Sequence, residues 1–179
     1  MSKQIWSISM CLTLTVVAWG CGQSAPAPQP TGATPEVSAA ASDLLLREQP
    51  IDAQPVAEVR KSAADGVDVT ILGRIGGGET PWVEGRAAFT IVDPKLEPCA
   101  PGEGCPTPWD YCCSTDQLPA NRAMIKVVDA AGDTVEQDAR TLLGVKELQT
   151  VVVKGKAKRD DAGNLTVLAS GVFIVSDTK

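Results

Sequence analysis

Four cysteines are concentrated in one stretch, Cys99-x5-Cys105-x6-Cys112-Cys113, and no histidine occurs anywhere in the 179 residues. Thiolates are nucleophiles and soft-metal ligands, and paired thiols oxidise to covalent staples. Without imidazole there is no Ser-His-Asp or Cys-His catalytic arrangement, and no side chain whose ordinary titration falls between about pH 5 and 8. An even set of closely spaced cysteines in an exported chain points first to disulfides, here two. Four cysteines allow three pairings. Those that join Cys99 and Cys105 each to one of the Cys112–Cys113 pair avoid the small strained ring formed by bonding adjacent cysteines. A zinc ribbon normally supplies two Cys-x-x-Cys knuckles and this stretch has neither, so the disulfide reading stands ahead of a metal site. A redox-active thiol needs a cation or helix N-terminus beside it, and only Lys95 and Arg122, at the ends of the loop, are available. No metal or other cofactor is expected.

The cysteines belong to a loop, Pro94–Arg122, with prolines at 94, 98, 101, 106, 108 and 119, which exclude regular helix or central strand over most of it. Trp109 and Tyr111 lie in this loop and Trp82 precedes it. All three are candidate ligand-binding residues able to stack on a sugar ring or a protein partner, or else to pack as a satellite core under the proline-rich segments. Lys154, Lys156 and Lys158 alternate and so project from one face of a strand. They are candidate phosphate contacts, or a solvated face that guards a sheet edge.

Charge weighs against nucleic acid. The chain carries 16 basic and 22 acidic residues, net -6. Phosphate-backbone binding requires a basic excess. From Arg60 onward 14 basic residues face 17 acidic ones. Glu103, Asp110 and Asp116 show no spacing diagnostic of a general acid–base pair, and Gly76-Gly77-Gly78 lacks the Lys-Ser/Thr that completes a phosphate-binding loop. No catalytic residue is assigned.

The elements that must position these groups are strands. Val67, Val69, Ile71, Gly73 and Ile75 alternate with Asp68, Thr70, Leu72 and Arg74, the period of a half-buried strand. Further strands are predicted at Ala87–Asp93, Met124–Asp129, Gln149–Lys158 and Leu165–Val175, with turns at Ala130–Asp133 and Asp160–Asn164. Thr134–Gln137 has capping-box spacing and predicts a helix over Glu136–Leu143 ending at Gly144. Five strands with a short helix between the third and fourth resemble the OB-fold, an all-β, five-stranded Greek-key barrel. Gly73 and Gly155 then mark places where the barrel kinks to close. The cysteine loop, residues 94–122, becomes an insert between the second and third strands.

The N-terminus resembles the export signal of a bacterial lipoprotein. Lys3 precedes an uncharged stretch, Ile5–Trp19, too short to span a bilayer and suited to a signal h-region. It ends at Val17-Ala18-Trp19-Gly20-Cys21, similar to a lipobox, with Ala18 and Trp19 departing from the usual Leu and small residue. The resemblance implies cleavage after Gly20 and lipid attachment at Cys21, or simple secretion if the cysteine is not lipidated. Cys11 would leave with the signal. Gly22–Glu36, rich in Pro, Ala, Ser and Thr, reads as a disordered tether. The organisation expected is a signal over 1–20, anchor and tether over 21–57, and a domain over 58–179. Gly22 after the cysteine implies outer-membrane placement facing the periplasm.

The string from Cys105 to Cys113, CPTPWDYCC, is similar to inserts in envelope proteins of planctomycete-type bacteria to which no activity is assigned. The expectation is a lipid-anchored envelope binding module without catalysis. Its partners would be the membrane through Cys21 and an envelope protein or glycan. An oligonucleotide- or oligosaccharide-binding OB domain, and a metal-binding or thiol-redox envelope protein, are the alternatives.

Overall fold

The computed structural model describes residues 43–176 other than 101 and 103. The signal, Cys21 and most of the tether lie outside the described residues. Among the described residues, seven strands and three complete α-helices follow in the order β1 (Gln54–Pro55), α1 (Val56–Ser62), β2 (Asp68–Ile75), β3 (Trp82–Val83), β4 (Ala88–Val92), α2 (Leu118–Asn121), β5 (Arg122–Val127), α3 (Ala139–Leu143), β6 (Thr150–Arg159) and β7 (Leu165–Ile174).

The five long strands close on themselves. β2 pairs antiparallel with both β4 and β6, β4 with β5, and β6 with β7. The circuit is completed by β5 and β7, which run parallel, with Met124 opposite Thr166. This order, with α3 between the third and fourth barrel strands, is the OB-fold expected. Closure leaves no free edge around the barrel, while each strand keeps its two-residue period. Phe89 and Ile91 of β4, Ile125 and Val127 of β5, Val151 and Val153 of β6, and Val167 of β7 are fully buried in one core.

Two glycines permit the tight approach. A Cβ on Gly73 would sit 2.7 Å from Ile91 Cδ1, and one on Gly155 would sit 2.2 Å from the Leu168 carbonyl oxygen. The β6–β7 register shifts at Lys154/Gly155, where Ser170 is the extra residue on β7, so a bulge bends β7 at this point.

The predicted strands hold to within about two residues. The helix does not begin where predicted. Thr134 lies in an isolated bridge opposite Val128, and Val135 donates to the Val127 carbonyl, so this segment is strand-like. The cap is Asp138, whose carboxylate accepts from the Arg140 N–H. Gly144 ends α3 in the left-handed region, φ 71°, as predicted.

Residues assigned to the tether pack on the barrel. Val56 is buried along with Val59, the next core residue of α1, Gln54 and Pro55 pair with Ile71 and Leu72, and the Leu46 N–H donates to the Val172 carbonyl. The first turn of α1 is capped from afar: the fully buried Asp93 accepts the Ala57 N–H at 2.8 Å and the Lys95 N–H at 3.0 Å. The same carboxylate therefore fixes both α1 and the first residues of the insert.

Candidate functional site

The insert is shaped by its prolines into short turns. Pro108–Asp110 and Cys112–Ser114 are single 3-10 turns, and Tyr111 between them has left-handed backbone, φ 59° and ψ 37°. A non-glycine residue holds this conformation only where its surroundings enforce it. Here the ring is the enforcement. Tyr111 is fully buried with Val92, Leu96 and Leu118 in a second small core on the outer face of β4.

Close backbone contacts join this core to the Gly76–Arg86 loop. A Cβ on Gly76 would lie 2.9 Å from the Tyr111 ring and 2.6 Å from the Trp109 carbonyl oxygen. Gly77 donates its N–H to that carbonyl at 2.8 Å, and the Trp109 indole N–H donates to the Glu79 carbonyl at 3.0 Å. Arg122 donates to the Gly77 carbonyl at 2.8 Å, and Arg74 to that of Leu96 at 3.3 Å.

Held this way, the insert gathers its four sulfurs within 4.8 Å of one another. Cys112 Sγ lies 3.3 Å from Cys99 Sγ, 2.8 Å from Cys105 Sγ and 4.0 Å from Cys113 Sγ. The expected gathering of the cysteines is present, and Cys105 beside Cys112 with Cys99 beside Cys113 is among the pairings expected. Cys112 is a close neighbour of all three others. The missing Cys-x-x-Cys knuckles, on which a metal set was not expected, do not keep the sulfurs apart. Cys99 is 5% exposed, whereas Cys112 and Cys113 are exposed.

Asp110 organises the turn. Its Oδ1 accepts the Cys112 N–H at 2.8 Å and lies 3.9 Å from Cys99 Sγ, while Oδ2 accepts the Thr107 hydroxyl at 2.7 Å. The Thr107 hydroxyl holds the Asp110 carboxyl below the usual carboxylate range, with the Cys112 N–H acting the same way. Among the thiols, the Cys113 N–H and then the Cys112 thiol draw Cys99 down. Its neighbours push Cys105 up, Cys112 first, and Cys99 pushes Cys113 up to about 11.

The other predicted site residues fall differently. Trp82 is no open platform: it is 7% exposed, packs on Phe89 with centroids 5.9 Å apart, and donates its indole N–H to Glu147 at 2.5 Å. The Arg140 guanidinium lies 5.5 Å from the ring centroid. Tyr111 is core, and its hydroxyl has no hydrogen-bond partner. Burial pushes that phenol up, with Arg74 near enough to moderate the effect without meeting hydrogen-bond geometry. Trp109 is half-buried at the insert–loop junction.

The lysine stripe is exposed, but two of its members are paired: Lys156 with Asp68 at 2.8 Å and Lys158 with Asp65 at 3.3 Å. Lys154 borders a groove of about 670 Å³ that it shares with Asp52, Asp68 and Thr70, where acids outnumber it. The structure thus brings together the four cysteines, Trp109 and Tyr111, and leaves Trp82 and the lysines elsewhere. Asp110 and the left-handed backbone at Tyr111 were not marked as structural determinants. The Thr-x-x-Asp spacing from Thr107 to Asp110 is the one sequence signal for them.

No family model and no curated protein matches the chain. Among solved structures, an OBody, AM1L10, bound to hen egg-white lysozyme is similar over 73% of this chain and 98% of its own, at 12% identity and a TM-score of 0.40.

Proposed function

We propose that this protein is an exported, lipid-anchored binding module without catalytic activity, and that its working surface is the cysteine insert. The supporting observation is how the insert docks. The face of the second and third barrel strands and the adjoining loop are the usual ligand wall of an OB-fold. Here Leu96, Trp109 and Tyr111 occupy part of that wall and pin down the loop, while Cys112 and Cys113 stay exposed. The barrel then serves as a rigid support for a loop that concentrates four donor atoms.

Export and anchoring rest on the uncharged segment ending at Gly20-Cys21 and on the Pro/Ala-rich stretch after it. That stretch lets the domain stand off a bilayer and meet envelope proteins or glycans. The acidic balance and the ion-paired Lys156 and Lys158 weigh against nucleic acid as the partner.

Fractionation tests the anchor. Wild-type protein is expected in the outer-membrane fraction, released only by detergent, and Cys21→Ser in the soluble fraction; a Cys21→Ser protein that stays with membranes refutes the lipid anchor. Single-stranded DNA at low ionic strength is expected to show no binding, and salt-dependent binding would restore the oligonucleotide reading.

A further inference from the structure

We propose that Cys99, Cys105, Cys112 and Cys113 bind one zinc ion as a tetrathiolate. The inference rests on the reading of the insert as the working surface and does not require the lipid anchor. Its first support is that all four sulfurs lie within 4.8 Å of one another. A tetrahedral zinc with Zn–S of about 2.3 Å sets its sulfurs roughly 3.8 Å apart. The contacts of 2.8, 3.3 and 4.0 Å around Cys112 straddle that value, and the whole set lies within 4.8 Å. Small side-chain adjustments would bring all four onto one ion. An iron–sulfur cluster seats its cysteines on different irons and so needs them further apart than one shared ion does.

The chain also solves the difficulty of adjacent ligands. In an extended segment Cys112 and Cys113 would point apart, but the 3-10 turn at Cys112–Ser114 brings their sulfurs to 4.0 Å. That turn is set by the left-handed Tyr111, whose ring is locked in the small core, and by the Asp110 carboxylate on the Cys112 N–H. Cys99 and Cys105 approach from the other arm, with the Cys99 N–H donating to the Pro108 carbonyl at 3.2 Å. Ligands held in place by backbone contacts and buried packing form a prepared site rather than a collapsed loop. An all-sulfur tetrahedral set is the donor chemistry that selects zinc over hard cations.

On binding, four Zn–S bonds form, the thiol protons pass to solvent and no electron moves. The chain needs no oxidant or co-reactant for this step, whereas disulfide formation would remove two electrons per bond.

The full chain, reduced, stripped with chelator and titrated with Zn²⁺ alone, is expected to take up one ion per chain and to protect all four insert thiols from alkylation. Co²⁺ in its place is expected to give the thiolate-to-metal charge-transfer band and strong visible bands of a tetrahedral tetrathiolate. Cys112→Ser, checked for an intact barrel by circular dichroism, is expected to weaken zinc binding by more than the roughly 10–100-fold that loss of an outer-shell partner costs. If that variant does not fold, the cobalt spectrum of the unmodified chain decides.

Failure of the reduced chain to bind stoichiometric zinc overturns the proposal. So does recovery of the protein from its own envelope with two disulfides, no alkylatable insert thiols and no metal. Either result leaves the membrane fractionation untouched, and a zinc-loaded chain that is not membrane-bound removes the anchor alone.

Discussion

Tyr111→Phe and Tyr111→Ala, made separately, test how the insert is held. The ring is fully buried against Val92, Leu96 and Leu118. A buried aromatic covers about 150–250 Å², which at about 25 cal/mol per Å² sets an upper bound of roughly 4–6 kcal/mol. Large-to-small replacements of aromatic residues give about 3–5 kcal/mol, so Tyr111→Ala is expected to lose that much. It should also speed alkylation of Cys99, now 5% exposed.

Tyr111→Phe keeps the packing and removes a buried hydroxyl that has no partner. Leaving such a group unsatisfied costs about 1–3 kcal/mol, so the Phe variant is expected to be as stable as wild type or up to about 2 kcal/mol more so. Thermal unfolding followed by circular dichroism resolves this, since about 1 kcal/mol moves the Tm of a domain this size by roughly 2–8 °C. A pH series adds a second readout. Burial raises the folded phenol above its ordinary value, so its contribution is present below about pH 10 and is lost as pH rises through the folded value. The Phe variant should lack that alkaline loss. A Phe variant destabilised by more than about 1 kcal/mol would mean the hydroxyl is bonded. An Ala variant losing less than about 1 kcal/mol would mean the small core does not hold the insert.

Barrel closure and the α3 cap give further predictions. Gly155→Ala places a Cβ 2.2 Å from backbone of the paired strand and is expected to cost at least about 1–3 kcal/mol. Gly78→Ala, with nothing within 4 Å, is expected to gain about 0.4–1 kcal/mol; equal urea midpoints for the two would contradict the closure argument. Asp138→Ala is expected to lose about 1 kcal/mol at neutral pH through loss of the N-cap. Bonding to Arg140 depresses the folded Asp138 carboxyl, so this difference should persist above about pH 4 and shrink as pH falls through the folded value. A difference that stays constant down to pH 2 would show that the charge plays no part.

The strands were legible because their signal is local. Val151, Val153 and Ala157 can face inward together only at a two-residue period, and the alternation shows directly in the chain. α1 was not legible: its seven residues place only Val56 and Val59 in the core, follow closely on prolines, and take their cap from Asp93, 36 positions away. The capping-box spacing at Thr134 misled because β-bridging to Val128 satisfies that backbone instead. Trp82 satisfied the composition of a stacking platform, yet Phe89 and Glu147, from other elements, take up its face and its N–H.

By itself the sequence determined the absence of imidazole chemistry, the acidic balance, the five alternating runs and the cysteine spacing, all of which are properties of composition or near neighbours. Tertiary structure decided which barrel wall is covered and that the four sulfurs come together. Those outcomes depend on Gly76, Gly77 and Val92 meeting Trp109 and Tyr111, contacts between residues far apart in the chain that exist only once the barrel has closed.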